Sequence, residues 1–462
     1  MSDVFSRQSR PLRVAIVGAG PSGFYATDAL FKLGQEIHVS VFDRLATPYG
    51  LLRHGVAPDH QKIKSLAAYY EKIALKHPDQ FRFYGNISIG EQVQIQDLQR
   101  YFDAIILTYG CESDRSLSIK GAQLDGLYSA REFVAWYNSH PDYQDLNVPL
   151  TGRSAAIIGI GNVAIDVARL LAKNADELAV TDLSTQAFQA LTHSQITDIH
   201  IIARRGPAQA ACTSLELEEL GELADCDVIV KPEDLHLSKA SQDECSSLKV
   251  QKNIAAFTAL SQKPRRSVSK TITIHFNRSP QAILGQTCVT GISLNEMQLS
   301  GEAFSQRPQS TGVQHELACD LVFSSIGYRG TAMAGVPFDE KQGTIPHQDG
   351  QVTHLNGEAI PGLYTAGWIK RGATGVIGTN KSCAQESVKR LLAQLDQLPV
   401  CKYPNSNEFE AFLTKQAYSF CSFQDWQKID HIERSRGEVL GKPRLKFTRT
   451  DDILNAVAKQ VT

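Results

Sequence analysis

Apolar positions along the chain gather into short runs that end on glycine. The run VAIV (residues 14–17) leads into Gly18, Gly20 and Gly23, and FYATDALFKL follows up to Gly34. This pattern predicts a buried strand, a tight turn, and a helix stopped by glycine. IHVSVFD predicts a second strand, ending at Asp43, 20 residues past Gly23. TPYGLLRHGVAPDHQKIK (residues 47–64) reads as a long loop rich in Gly, Pro and His, with a helix predicted over residues 65–76. FRFYGNISIG is strand-like, and residues 104–108 form a buried run that ends at Gly110. A helix, SAREFVAWYN, precedes a repeat of the opening pattern: SAAII runs into Gly159-Ile160-Gly161-Asn162-Val163-Ala164. The helix after it carries Val163, Val167, Leu170 and Leu171 on one face. Two such turns, about 140 residues apart, carry more weight than either alone.

Beyond the second turn the pattern loosens. Residues 174–197 predict a polar, partly helical excursion before the strand of residues 199–202, which ends on Arg204-Arg205. Glu216 lies on the following helix. SVSKTITIHFNR and TCVTGISLNEMQL alternate at period two and predict an antiparallel hairpin. CDLVFSSIGYRG is a buried strand ending at Gly327. In GLYTAGWIKRGATGVIGTNK, residues 363–366 predict a strand, and Gly375-Val376-Ile377 lead into a long helix whose start suits an anion.

Composition narrows the choice. The 462 residues suffice for two or three domains. A formal charge of −2, with 42% hydrophobic and 21% charged residues, gives no global case for nucleic acid. No apolar run approaches the ~18 residues of a membrane span. The nine cysteines contain no CxxC, against a thioredoxin-like dithiol or a zinc ribbon, and suit a reducing compartment. The N-terminus lacks an apolar core, so a cytoplasmic protein is expected, with the mitochondrial matrix as the alternative. Lys263, Arg265, Arg266 and Lys270 form a basic cluster that is either a solvated face or a dock for an acidic protein.

The chemistry lies in the two turns. Their glycines permit the bend, close approach of backbone to a pyrophosphate, and tight helix packing, with the phosphates at a helix N-terminus. Asp43 stands where an acid binds a ribose 2′-hydroxyl and disfavours a 2′-phosphate, so the first turn fits FAD or NAD. Arg204 and Arg205 occupy the corresponding place in the second unit and suit the 2′-phosphate of NADPH, leaving the first turn for FAD. His54 and His60 are the ionisable candidates of the long loop.

The whole chain resembles the adrenodoxin reductase-type (FprA-type) ferredoxin–NADP reductases. The resemblance rests on VGAGPSGFYA, YGLLRHGVAPDH, GIGNVAIDVARLL, ARRGPAQAACTSLELEEL, SSIGY, GWIKRGATGVIGTNK and GKPR, in order across residues 13 to about 446. Residues 230–315 are poorly matched. The resemblance implies an α/β, glutathione-reductase-like protein with two Rossmann-like domains. Residues 1–108 and 328–462 would form the FAD domain, and residues 109–327 an inserted NADP domain. It implies FAD contacts at Gly18, Gly20, Ser22, Gly23, Asp43, Leu51, Ile87, Trp368, Gly375, Val376 and Ile377. For NADP(H) it implies Ile160, Gly161, Asn162, Val163, Arg204, Arg205 and Glu216, with Gly375 nearby. Three positions depart from the family's habit: Asp43 stands for the commoner glutamate, Ile160 for glutamine and Ala373 for proline. His60 and Asp166 match a histidine and an aspartate kept near the flavin, and are the catalytic candidates.

The implied reaction is hydride transfer between NADPH and FAD, followed by one-electron transfers to an iron–sulfur ferredoxin. A monomer is expected, with no metal, nucleic-acid or membrane partner. The rivals are a disulfide reductase, which the missing CxxC disfavours, a flavin monooxygenase, and a non-catalytic FAD-binding scaffold. Two nucleotide turns together with an arginine pair favour an enzyme.

Overall fold

A computed structural model describes residues 10–33 and 36–458. The predicted glycine stop at Gly34 lies outside the described residues, as does the N-terminus before Arg10. The chain opens with β1 (Leu12–Val17), α1 (Pro21–Phe31) and β2 (Ile37–Asp43). The stretch expected to be an irregular loop holds two single-turn helices, α2 (Leu51–His54) and α3 (Gln61–Lys64). Strands β3 (Phe81–Gly85) and β4 (Ala104–Leu107) follow.

The chain then builds β5 (Leu127–Ser129), β6 (Ser154–Ile158), α4 (Asn162–Ala172), β7 (Asp198–Ile202) and α5 (Ser214–Gly221). Next come β8 (Cys226–Val230), β9 (Lys270–His275), β10 (Arg278–Leu284), β11 (Gly291–Ser300), β12 (Arg307–Ala318) and β13 (Leu321–Ser324). It returns to the first sheet through β14 (His347–Gln348), β15 (Gln351–Thr353) and β16 (Ala359–Thr365), and continues into α6 (Thr379–Leu392) and α7 (Phe423–Glu438).

Among the described residues, one sheet runs β14-β15-β16-β4-β1-β2-β3 and a second runs β5-β13-β6-β7-β9-β8. In each, the strand before a glycine turn pairs in parallel with the strand after the helix, β1 with β2 and β6 with β7. That is the doubly wound arrangement, in which ligands bind beyond the carboxyl ends of the strands. Alternation along β1 sends Val14 and Ile16 to one buried cluster, and Ala15 and Val17 to the cluster across the sheet. Both faces are covered, which is why these strands read as continuous apolar runs.

The hairpin expectation is half right. KTITIH is a parallel strand of the second sheet, between β7 and β8, and not a hairpin arm. The antiparallel partner of β11 is β10, with β12 on its other side. The alternation in β9 buries Ile272 and Ile274 on one face. Period two reports that a face is buried; it does not choose the neighbour.

Three of the four residues of the basic cluster make structural contacts while Lys263, Arg265 and Arg266 stay exposed. Lys263 Nζ donates to the carbonyl of Gly221 at the end of α5, and Lys270 Nζ to that of Leu171 at the end of α4. Arg266 pairs with Asp227 and donates to the carbonyls of Leu223 and Cys226. Cations that close helix ends favour the dipole.

Candidate functional site

Both glycine turns open into one cavity of about 1960 Å³ between the sheets. The first turn is tightly made. Gly18 has φ +111°, and a Cβ there would meet the Thr108 carbonyl at 2.7 Å. At Gly23 a Cβ would lie 2.2 Å from the Gly18 oxygen, so helix and turn approach as the glycine pattern requires. Thr108 Oγ1 donates to the Gly18 carbonyl at 2.8 Å and locks the turn to β4. Asp43 accepts from the Ala19 and Leu45 amides at 2.8 and 2.9 Å. Burial outweighs these bonds and pushes its carboxyl up to about 6.

The remote segment comes back to this turn. Gly367 has φ +79°, and a Cβ there would lie 2.1 Å from Ser22 Oγ. Trp368 follows at the cavity wall, its ring 5.6 Å from that of Tyr328 and its Nε1 donating to the Thr374 carbonyl. Gly375 also has a positive φ, of 77°. The long helix starts at Thr379, two residues after Ile377, and the Val376 amide is bonded to Thr379 Oγ1. Gly375, Val376 and Ile377 thus form a turn before the helix rather than its first residues.

The second turn is more open. Gly159 has φ +121°, with the Ser325 carbonyl where a Cβ would go. Asn162 Oδ1 accepts from the Thr213 amide at 3.0 Å, and the Cys212 amide donates to the Ile160 carbonyl, which ties the turn to the loop after the arginine pair. Ala164 stands in the third glycine position and is fully buried. Arg204 and Arg205 are exposed at the cavity edge, and neither guanidinium has an ion-pair partner among the described residues.

His60 sits between the two halves. Its Nε2 lies 2.7 Å from Glu219 and 3.7 Å from Glu216, and its Nδ1 lies 4.0 Å from Asp166. Burial opposes the imidazolium, yet the Glu219 hydrogen bond, with the charges of Asp166 and Glu216, holds His60 above the ordinary histidine value. The same bond draws Glu219 below the usual carboxylate range. Burial lifts Asp166 well above that range, against the pull of Arg169.

All of the sequence-derived site residues line this cavity except Gly23, which is buried against Gly18. Sequence reasoning missed Glu219, Arg169 and Asp59. The signal was helical spacing: Glu219 follows Glu216 by three positions, and Arg169 follows Asp166 by three on an otherwise apolar helix face.

Two glycine turns, each at a helix start and sharing one cavity, define a two-dinucleotide α/β protein. Comparison with known proteins then supplies the family. No protein-family model matches the chain. NADPH:adrenodoxin oxidoreductase, mitochondrial, of Arabidopsis thaliana is 38% identical over 98% of this chain and 97% of its own length. NADPH-ferredoxin reductase FprA of Mycobacterium tuberculosis (strain H37Rv) is 39% identical over 96% of this chain and 99% of its own. The structure of M. tuberculosis FprA in complex with NADPH superposes with a TM-score of 0.91 at 37% identity, covering 97% of this chain and 100% of that one. The chain belongs to the adrenodoxin reductase/FprA family. No described helix is long and apolar enough to cross a membrane.

Proposed function

We propose that this chain is an FAD-dependent NADPH:ferredoxin oxidoreductase. The observation that carries the reading is the shared cavity. One turn is closed around its own acid, and the other presents two arginines that have no ion-pair partner among the described residues. The first turn fits FAD: a side chain at Gly18, Gly23 or Gly367 would collide with the cradle, and Ser22 and Asp43 line the space beside it. The second fits NADPH, whose 2′-phosphate offers the charge that Arg204 and Arg205 lack. Leu51, Ile87 and Trp368 would hold FAD from the walls.

Bound FAD supplies the means to accept a hydride from NADPH and to return electrons singly to an iron–sulfur ferredoxin. The chain's own share is placement and exclusion of water. The second turn fixes the pyrophosphate of NADPH, and the arginines fix its adenosine end. The shared cavity would hold the nicotinamide and the flavin in one space. His60 and Asp166, at the cavity wall, orient the reacting groups and hold a proton there. We assign residues 1–108 and 328–462 to the FAD unit and 109–327 to the NADP unit. Membership of the two large sheets supports this division. Nine free cysteines suit a reducing compartment such as the cytoplasm.

The test is NADPH-driven reduction of a panel of purified ferredoxins by the isolated yellow protein. Rapid reduction of at least one is expected. A flavin that NADPH bleaches, but that passes electrons to none of them, would leave an NADPH oxidase or monooxygenase instead.

A further inference from the structure

Behind the cavity wall lies a guanidinium that does not itself line the cavity. Arg169 is 2% exposed. Its Nε and Nη2 donate to the two oxygens of Asp59 at 2.9 and 3.1 Å. Nη2 also donates to Asp166 at 2.7 Å, and Nη1 to Glu216 at 3.0 Å, with Glu219 at 3.2 Å. One side chain therefore joins three pieces of chain: the loop that carries His60, helix α4 and helix α5. The carboxylates of these pieces are the same groups that surround His60.

We propose that Arg169 is a positioning residue, whose guanidinium fork locks the His60 loop to α4 and α5 and so fixes His60 between Asp166 and Glu219. This rests on the reading of the cavity as the NADPH–flavin site. Arginine is required by shape as much as by charge. Five N–H groups in one plane reach four carboxylates on three elements, whereas the ammonium of lysine offers three donors from one atom. The ties to Asp166 and Glu216 are buried and those to Asp59 partly so, so an unpaired carboxylate there is costly to leave behind.

The charged groups around His60 are Asp59 on its own loop, Asp166 and Arg169 on α4, and Glu216 and Glu219 on α5, with Lys173, just past the end of α4, 3.5 Å from Asp59. Tyr137 lies near them, its phenol pushed well up by burial. Arg169 repels the imidazolium, while the carboxylates favour it. Removing the arginine charge therefore raises the pH at which His60 titrates, and removing the charge of Asp59 lowers it. Damage to packing alone has no reason to move that titration in opposite directions.

The experiment uses the FAD-loaded protein and three variants, Arg169→Lys, Arg169→Met and Asp59→Asn. Histidine-labelled NMR follows the His60 titration, assigned by its loss in His60→Gln, and stopped flow follows flavin reduction by NADPH. Arg169→Lys keeps the charge and loses the fork, so flavin reduction is expected to slow about ten- to hundredfold at unchanged FAD content. Arg169→Met is expected to move the His60 titration to higher pH, and Asp59→Asn to lower pH. Arg169→Lys reducing at the wild-type rate would overturn the proposal. So would Arg169→Met and Asp59→Asn leaving the titration in place or moving it the same way. Failure of NADPH to reduce the wild-type flavin would instead count against the functional reading, while the NMR arm still tests the positioning role.

Discussion

The two glycine turns share a plan and differ in how far the protein completes them. In the first, Gly18, Ala19, Ser22 and Gly23 are buried, and Asp43 spends its oxygens on the Ala19 and Leu45 amides. In the second, residues 159–163 are all partly exposed, and the arginines at the strand end have no ion-pair partner among the described residues. A turn sealed by its own chain, and by a segment some 350 residues later, is built for a group that stays. A turn left open with two free cations is built for a ligand that comes and goes. On the proposed reading, burial and charge assign the resident cofactor to the first turn and the exchanged nucleotide to the second.

The largest effect is expected at the third glycine. Gly23→Ala puts a Cβ 2.2 Å from the Gly18 oxygen and forces helix and turn apart. We expect purification without flavin and a loss on the order of 3 kcal/mol in denaturant unfolding. A yellow, fully stable variant would break the distinction between the turns.

Arg204→Ala removes a charge-assisted contact to the 2′-phosphate, worth about 1.5–3 kcal/mol. KM for NADPH should rise about ten- to hundredfold, and KM for NADH should hold. Equal effects on both would mean that the arginines do not read the 2′-phosphate.

The tie between the two halves predicts a pH effect of similar size. Burial opposes the ionised Asp59, but Arg169 draws its carboxyl down to about 2 from an ordinary 3.8. A depressed carboxylate contributes stability that is present above its unfolded value and lost as pH falls through its folded one. Asp59 should therefore contribute about 2 kcal/mol above pH ~4, fading toward pH ~2. Melts of wild type and Asp59→Asn should converge over that window; a constant gap would refute the ion-pair origin.

The smallest effect belongs to the second turn. Ala164→Gly should cost about 1 kcal/mol through helix propensity and leave NADPH affinity unchanged. A large loss of nucleotide binding would show that this turn is as tightly fitted as the first.

Much of this architecture is legible in the residues. Glycine spacing before a helix, and an acid or an arginine pair after the next strand, encode local backbone needs that act within one βαβ unit. The hairpin error at KTITIH arose because alternation specifies a buried face and not a partner strand. The basic cluster around Lys263 is read further for a related reason: composition shows charge, and only the fold shows that Lys270 and Lys263 cap the ends of α4 and α5 while Arg266 pairs with Asp227. Arg169, Asp59 and Glu219 escaped because their meaning lies in contacts between segments 110 residues apart in one case and 159 in another. The i, i+3 spacing on two helices was the available trace.

The central claim is that one cavity holds FAD at the first turn and selects NADPH at the second. Anaerobic titration of the yellow protein with NADPH and with NADH, on wild type and on the Arg204→Ala/Arg205→Ala double variant, tests it most directly. NADPH should bleach the wild-type flavin at near-stoichiometric amounts, NADH should need a large excess, and the double variant should lose the difference. A flavin that NADPH leaves oxidised, or a double variant that still prefers NADPH, would contradict it.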